Sequence, residues 1–217
     1  MPVQSIGSAF AGGCSLPPLS PAQRVAWHQR RRRYAVWMIE ADTASVRALC
    51  ARAHGHLRRW LAPLPPRQPH ITLAAAGFPV RRAMRPDEYD PAQCRHHRAQ
   101  LHGAAIMAAS VQVGGIGSFN GCAFLRVHDP HGGLQQLHRL LCATIPAAQG
   151  QHFVPHITLA PYRDVFPLRV IADAAQAWRG RVELPVRQVT LAVFDPRAQG
   201  GCLRPVLRIP LHGADCC

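Results

Sequence analysis

Acidic residues are scarce in this 217-residue sequence: 11 Asp and Glu stand against 25 cations, every one an arginine, for a net charge of +14. That deficit favours encounter with polyanions. Arg is spread along the whole chain, so a general preference for Arg would give the same count. The charge supports an anionic partner without identifying it. Long apolar runs are missing too. Nothing approaches the roughly 20 residues of a membrane helix, and the longest candidates, 104–113 and 186–194, are short and interrupted by polar residues. Residues 1–20 have neither a cation nor a sustained apolar stretch, so they do not read as a secretory signal. Cys14 after Ala11-Gly12-Gly13 has only the outline of a lipoprotein cleavage site. A cytoplasmic location without membrane contact is expected.

Two further absences narrow the chemistry. The eight cysteines, at 14, 50, 94, 122, 142, 202, 216 and 217, include no Cys-x-x-Cys and no disulfide framework, so reduced thiols are expected. The 13 histidines include His96-His97, His128 with His131, and His152, but none has Cys or carboxylate partners at zinc-like spacing. No metal is expected. Gly115-x-Gly117 with Gly121 falls in a hairpin with no helix after it, unlike a dinucleotide fingerprint. Lone serines and cysteines have no nucleophile context. No cofactor is expected either.

What is present reads as an ordinary globular chain, 48% hydrophobic and 17% charged. Residues 1–33 form a flexible basic leader that ends in Arg30 to Arg33, more simply a solvated charge run than a phosphate grip. Residues 34–212 form the structured domain, and 213–217 a tail. Strand Tyr34–Glu40 precedes a helix over 43–60, capped by Asp42 or Thr43, with Val46, Leu49, Ala53 and Leu57 on one face. Pro63, Pro65 and Pro66 break the chain before a strand at 69–75. Then come a polar loop (79–90), a helix (91–107), and strands at 110–116 and 121–128 joined by an Asn120-Gly121 turn. A helix at 134–143, a strand at 153–160, a helix at 168–178 and strands at 186–194 and 203–211 complete the order. Strand and helix alternate with hairpins mixed in, which predicts α+β layers. Strand-helix-strand occurs once on each side of the middle.

That doubling carries an identical hexapeptide. Pro69-His70-Ile71-Thr72-Leu73-Ala74 recurs as Pro155-His156-Ile157-Thr158-Leu159-Ala160. On a strand, alternate residues share a face. His70 and Thr72 therefore face one way and Ile71 and Leu73 the other, and likewise in the second copy. The apolar pair can pack on helices, leaving the polar pair to line a cleft. A lone His on a strand is more often a packed or surface residue than a catalyst. Packing alone, however, does not demand the same polar pair twice. If two lobes meet about an approximate two-fold axis, the cleft holds two imidazoles and two hydroxyls. One imidazole can take a proton from the nucleophile and the other protonate the leaving oxygen, while the hydroxyls bind non-bridging oxygens. His156 is the expected base and His70 the expected acid, in a nearly symmetric site. Thr72 and Thr158 are the expected phosphate binders.

With these two His-x-Thr-x motifs, the sequence resembles the 2H phosphoesterase superfamily, most closely its bacterial 2′-5′ RNA ligase and RNA 2′,3′-cyclic phosphodiesterase branch, over roughly residues 34–212. The resemblance implies a bilobal α+β fold with two pseudo-symmetric lobes around a central cleft. It implies hydrolysis of 2′,3′-cyclic phosphates to a 2′-phosphate, or reversible joining of RNA ends through 2′-5′ bonds. The partner would be RNA or a nucleotide with one of those groups, and a monomer is the default. Signalling nucleotides such as 2′-5′ oligoadenylates or cyclic dinucleotides are the alternative substrates. A binding module with vestigial activity is a further alternative. Gly115 to Phe119 resembles the family's Gly-x-Phe strand end, which would set Phe119 near the cleft; a core Phe beside a turn is the competing reading. The cation that often follows the second motif lies further along here, in Ala160-Pro161-Tyr162-Arg163. Tyr162 would stack on a base or Arg163 reach a phosphate. Ala74 to Phe78 after the first motif is smaller than the family usually has, which would open the pocket on one side.

Overall fold

The computed structural model describes residues 13–145, 152–198 and 200–213. Two sheets organise it. Strands β1 (Tyr34–Glu40), β2 (His70–Pro79), β3 (Glu88–Tyr89), β8 (Gln188–Phe194) and β9 (Arg204–Pro210) form one sheet, in the order β3-β2-β1-β8-β9. Strands β4 (Ala109–Phe119), β5 (Cys122–His128), β6 (His156–Pro161) and β7 (Arg181–Val186) form the other, in the order β6-β5-β4-β7. Among the strands of the described residues every pairing is antiparallel except the short β2–β3 contact. This is the expected bilobal α+β arrangement, with one copy of the hexapeptide in each sheet.

The lobes are not contiguous halves of the chain. Strand β4 follows the first motif yet joins the second sheet, and β8 and β9 follow the second motif yet join the first. The helices cross over as well. Helix α2 (Ala44–His56), between β1 and β2, packs on β6 and β7; α4 (Gly133–Cys142), between β5 and β6, packs on β2. Helix α3 (Pro91–Gly103) lies on α4 and β9, and α5 (Leu168–Ala177) on β4. The apolar faces explain this. Val46, Leu49, Cys50 and Ala53 of α2 and Leu134, Leu137 and Leu141 of α4 are all buried in one continuous core that includes residues of both sheets. The Thr43 side chain caps α2, and Asp90 with Gln93 forms a capping box on α3.

Strand β1 is buried on both faces. Trp37 and Ile39 enter the main core, while Val36 and Met38 join Ala192 and Leu203 in a small second cluster. Three elements depart from expectation. Helix α1 (Pro21–His28) lies within the segment expected to be a flexible leader, and the described part of that segment, from residue 13, is docked at Ser15 and Arg31. The Ser15 backbone N–H donates to the Phe166 carbonyl at 2.8 Å and its hydroxyl to the Asp164 carbonyl at 2.8 Å. Arg31 pairs with Asp87 at 2.7 Å and lies 3.4 Å over the Phe78 ring. Strand β7 fills the stretch between the helix expected at 168–178 and the strand expected from 186, and β3 lies in the expected loop.

Candidate functional site

The pairing register builds the site. In the first sheet His70 stands opposite Glu40 and Thr72 opposite Met38; in the second, His156 stands opposite Arg126 and Thr158 opposite Phe124. Ile71, Leu73, Ile157 and Leu159 are at most 1% exposed, whereas the histidines and threonines are half-buried or exposed. The alternation therefore holds through the start of each motif. It then breaks, identically, in both copies. Trp37 pairs with Ala74 and Met38 with Thr72; Ala123 pairs with Ala160 and Phe124 with Thr158. Leu73 and Leu159 are thus extra residues, a β-bulge in each motif strand. The carbonyl of Leu73 accepts a hydrogen bond from His138 Nδ1 of α4 at 2.7 Å.

Both motif histidines are oriented the same way. His70 Nδ1 lies 2.8 Å from the Gln68 carbonyl and His156 Nδ1 lies 2.7 Å from the Val154 carbonyl. A carbonyl only accepts, so each Nδ1 carries the hydrogen and each Nε2 is left with its lone pair. Gln68 is itself clamped. Its side-chain amide donates to the Leu203 carbonyl at 3.1 Å and accepts from the Leu203 N–H at 2.9 Å. Burial lowers the pKa of both imidazoles. His70 is brought down to about 4 by burial, against the opposing pull of the Gln68 carbonyl, with the charges of Arg67 and His156 adding to the depression. His156 is lowered by burial, with the Val154 carbonyl opposing. That His70 senses the charge of His156 agrees with the packing of β2 against β6.

Phe119 is brought to this site. Its ring lies 5.0 Å from that of His156, edge to face, and 4.5 Å from Phe124, which in turn lies 5.1 Å from His156. Tyr162 is not available there. It is 0% exposed, its hydroxyl lies 2.6 Å from Ser118 Oγ, and burial pushes its pKa up to about 12. The expectation that it stacks on a base is corrected, because the bulge at Leu159 turns it into the core. Arg163 is exposed, with its backbone N–H on the Trp60 carbonyl, two residues beyond the end of β6. At ~3.3 Å per residue that is roughly 20 Å along the chain from His156. Among the described residues no hydrogen bond, ion pair or ring contact joins Arg163 to either histidine. Among the described residues, no three His, Cys, Asp or Glu side chains group as a metal-ligand set, and no helix is long and apolar enough to cross a membrane.

Two cleft residues escaped the sequence reading, Glu40 and Arg126. Only strand register places them beside the histidines. Glu40 accepts from Arg208 Nε at 2.7 Å, Thr190 Oγ1 at 2.7 Å and Gln188 Nε2 at 3.3 Å. The Arg208 hydrogen bond is the main reason its carboxyl pKa is lowered.

A family model described as the 2′-5′ RNA ligase superfamily matches residues 46–197. Among solved structures, the chain is similar to Escherichia coli LigT complexed with 3′-AMP, at 18% identity and a TM-score of 0.60, covering 84% of this chain and 99% of that one. Other LigT structures hold NADP+ and ATP. It is also similar to TT0787 of Thermus thermophilus, at 22% identity and a TM-score of 0.57, covering 83% of this chain and 98% of the other. At such identities the likeness establishes the fold. No curated protein sequence matches the chain.

Proposed function

This chain belongs to the 2′-5′ RNA ligase superfamily, and on that premise we propose that it is a metal-independent phosphodiesterase acting on RNA 2′,3′-cyclic phosphate ends or 2′-5′ linkages through His70 and His156. Phosphodiesterase or RNA-ligase-type chemistry is what the family supports; the substrate and the residue roles are our inference. One observation carries it. The residue just before each copy of the hexapeptide fixes its imidazole through Nδ1, leaving two Nε2 atoms with free lone pairs on motif strands that contact each other across the two sheets.

In hydrolysis, water attacks phosphorus and the P–O3′ bond of the cyclic phosphate breaks. One Nε2 takes the proton of the water, and the other imidazolium gives its proton to O3′. The products are a 2′-phosphate and a free 3′-hydroxyl. Thr72 and Thr158 donate their hydroxyl protons to the non-bridging oxygens as charge builds there. From the sequence, His156 was the expected base in a nearly symmetric site. The charges favour the reverse, since burial and Arg67 keep His70 neutral down to about pH 4. We therefore assign the base to His70 and the acid to His156. Phe119, edge-on to His156, is suited to contact the nucleoside.

The test is turnover, with chelator present, of a short RNA ending in a 2′,3′-cyclic phosphate. His70→Ala and His156→Ala should each lose on the order of 10² to 10⁴-fold in kcat. Undiminished turnover in either variant overturns the mechanism. A nucleoside phosphodiester with an aryl leaving group separates the roles, because a good leaving group needs no proton. His156→Ala should recover activity on it and His70→Ala should not. The nucleotide complexes of LigT support a second reading, a small signalling nucleotide as substrate. Assaying 2′-5′ oligoadenylates and cyclic dinucleotides beside the RNA end decides between them.

A further inference from the structure

The lobes repeat their motif strands but not their charges. Opposite His70 stands Glu40, and opposite His156 stands Arg126. Cross-strand partners project to the same face, so both lie on the cleft side beside their histidines. Glu40 is occupied. It holds Arg208 at 2.7 Å and is held by Thr190 and Gln188, so the first lobe presents a cation already neutralised. Arg126 is different. It is exposed, and among the described residues it makes no ion pair and no side-chain hydrogen bond.

The neighbouring strand is shaped around it. In β4 the register slips between Val113 and Ile116, so that Gly114 and Gly115 together stand opposite Arg126. Gly115 has φ +71°, and a Cβ placed on it would meet only Arg126 Cδ, at 3.9 Å. Gly114 has no room for a side chain, since a Cβ there would come 2.7 Å from the Gly180 carbonyl oxygen. The bulge thus leaves bare backbone beside β5, and the stem of Arg126 runs out over it, away from His156. The corresponding place in the first lobe is filled by Gln188. A guanidinium held off the motif histidine by the width of a strand is misplaced for the phosphate being cut. It is well placed for the next one along a polynucleotide.

We propose that Arg126 is a second phosphate site, which takes the phosphate of the nucleotide adjoining the reacting end and so makes the enzyme select oligonucleotides over a lone nucleoside cyclic phosphate. The inference rests on the phosphodiesterase reading above and adds a length requirement and a direction to it: the chain lies across the second lobe. The planar fork of Arg matches phosphate oxygens, and its charge releases counterions from the strand.

The probe is a labelled tetraribonucleotide ending in a 2′-phosphate, titrated by fluorescence anisotropy against wild type, Arg126→Ala and Arg126→Gln between about 50 and 200 mM salt. Loss of Arg126 should weaken the tetranucleotide by about tenfold at the low-salt end. The slope of log affinity against log salt should fall by about 0.7, the share of one single-strand phosphate. A nucleoside 2′-phosphate should change by no more than about twofold in affinity. An unchanged slope, or equal weakening of both ligands, overturns the proposal. Arg126→Gln retains part of the stem, and an unaltered melting temperature in it excludes misfolding as the cause. Turnover is scored separately. A wild type that cuts no cyclic end while the slope difference persists defeats the phosphodiesterase reading alone, and turnover without the slope difference defeats the phosphate site alone.

Discussion

Both motif histidines are tethered at Nδ1 by the backbone two residues upstream, which removes one rotational and one tautomeric freedom from each ring. Burial then works against their charge, and this sets the pH behaviour. A base whose pKa is lowered to about 4 stays competent well into acid. An acid whose pKa is lowered below the ordinary 6.5 loses its proton earlier as pH rises. Both limbs of the kcat/KM profile of the free enzyme therefore move to the acid side of an unperturbed histidine pair. We expect kcat/KM to decline as pH rises through 6.5, the ordinary histidine value. A maximum above about pH 7.5 in a kcat/KM profile would contradict this. The histidines and threonines were legible because period-two alternation and an exact repeat need no tertiary knowledge. Tyr162 was expected at the cleft from its place just after the second motif, and a bulge cannot be foreseen from that likeness: the extra residue at Leu159 shifts the parity that starts at His156 and Thr158 and turns Tyr162 into the core. Arg126 and Glu40 were not legible at all, because their place depends on which residue of another strand lies opposite.

Strands and helices of the domain were mostly legible from their patterns, and the exceptions follow from their surroundings. Helix α1 begins with Ser20-Pro21-Ala22-Gln23, a capping box with Pro at the first helical position. The signal was there, but no apolar stripe follows it, so composition read as a leader. The helix is retained by contacts outside itself. Trp27 packs 5.2 Å from Tyr34 and 5.9 Å from Phe78, and Arg31 closes the contact from the far side of a turn in which Gln29 and Arg30 both have positive φ. Arg31→Ala should release the segment at a global cost of only about 1 kcal/mol, since the Asp87 partner is 46% exposed and screened. Chymotrypsin cleavage near Trp27 should accelerate severalfold while the urea midpoint hardly moves; unchanged cleavage would mean the segment is held elsewhere. Strand β7 carries Pro185, which argues against a central strand. It lies at the sheet edge, paired only with β4, where the missing donor is tolerated.

Across the whole molecule, the core contains one polar chain that ties stability to pH. Trp37 Nε1 donates to the Tyr89 hydroxyl at 3.2 Å, the hydroxyl meets His97 Nδ1 at 2.9 Å, and His97 Nε2 lies 2.7 Å from Thr144 Oγ1. With Trp37 donating to its oxygen, the Tyr89 hydroxyl is free to give its proton to Nδ1 of a neutral imidazole that carries its hydrogen on Nε2. His97 is 0% exposed, and burial, with the nearby charge of His96 adding to it, brings its pKa down to about 4. The unfolded chain takes up a proton near the ordinary 6.5 that the folded chain refuses. The contribution is therefore intact above 6.5 and is lost as pH falls from there toward 4. We expect His97 to account for on the order of 2–3 kcal/mol of that loss. Urea titrations at neutral pH and near about pH 4.5 measure it. His97→Gln, which does not titrate, should show a shallower pH dependence, with the rest coming from other groups whose pKa is lowered in the folded chain, among them His70, His156 and Glu40. An equal dependence in the variant would remove His97 from the account.

The exchange of strands between the lobes has a consequence for how the molecule comes into being. Strand β1 completes its pairing only when β8, at residues 188–194, is available, and β8 completes its own with β9, at 204–210. During synthesis the first sheet therefore waits, with the unpaired edge of β1 open, until residues 188–210 have left the ribosome. Contacts of such long sequence separation make folding slow and leave the nascent chain exposed to mispairing. The topology that brings two copies of one motif face to face thus makes assembly a single late event rather than the successive completion of two lobes.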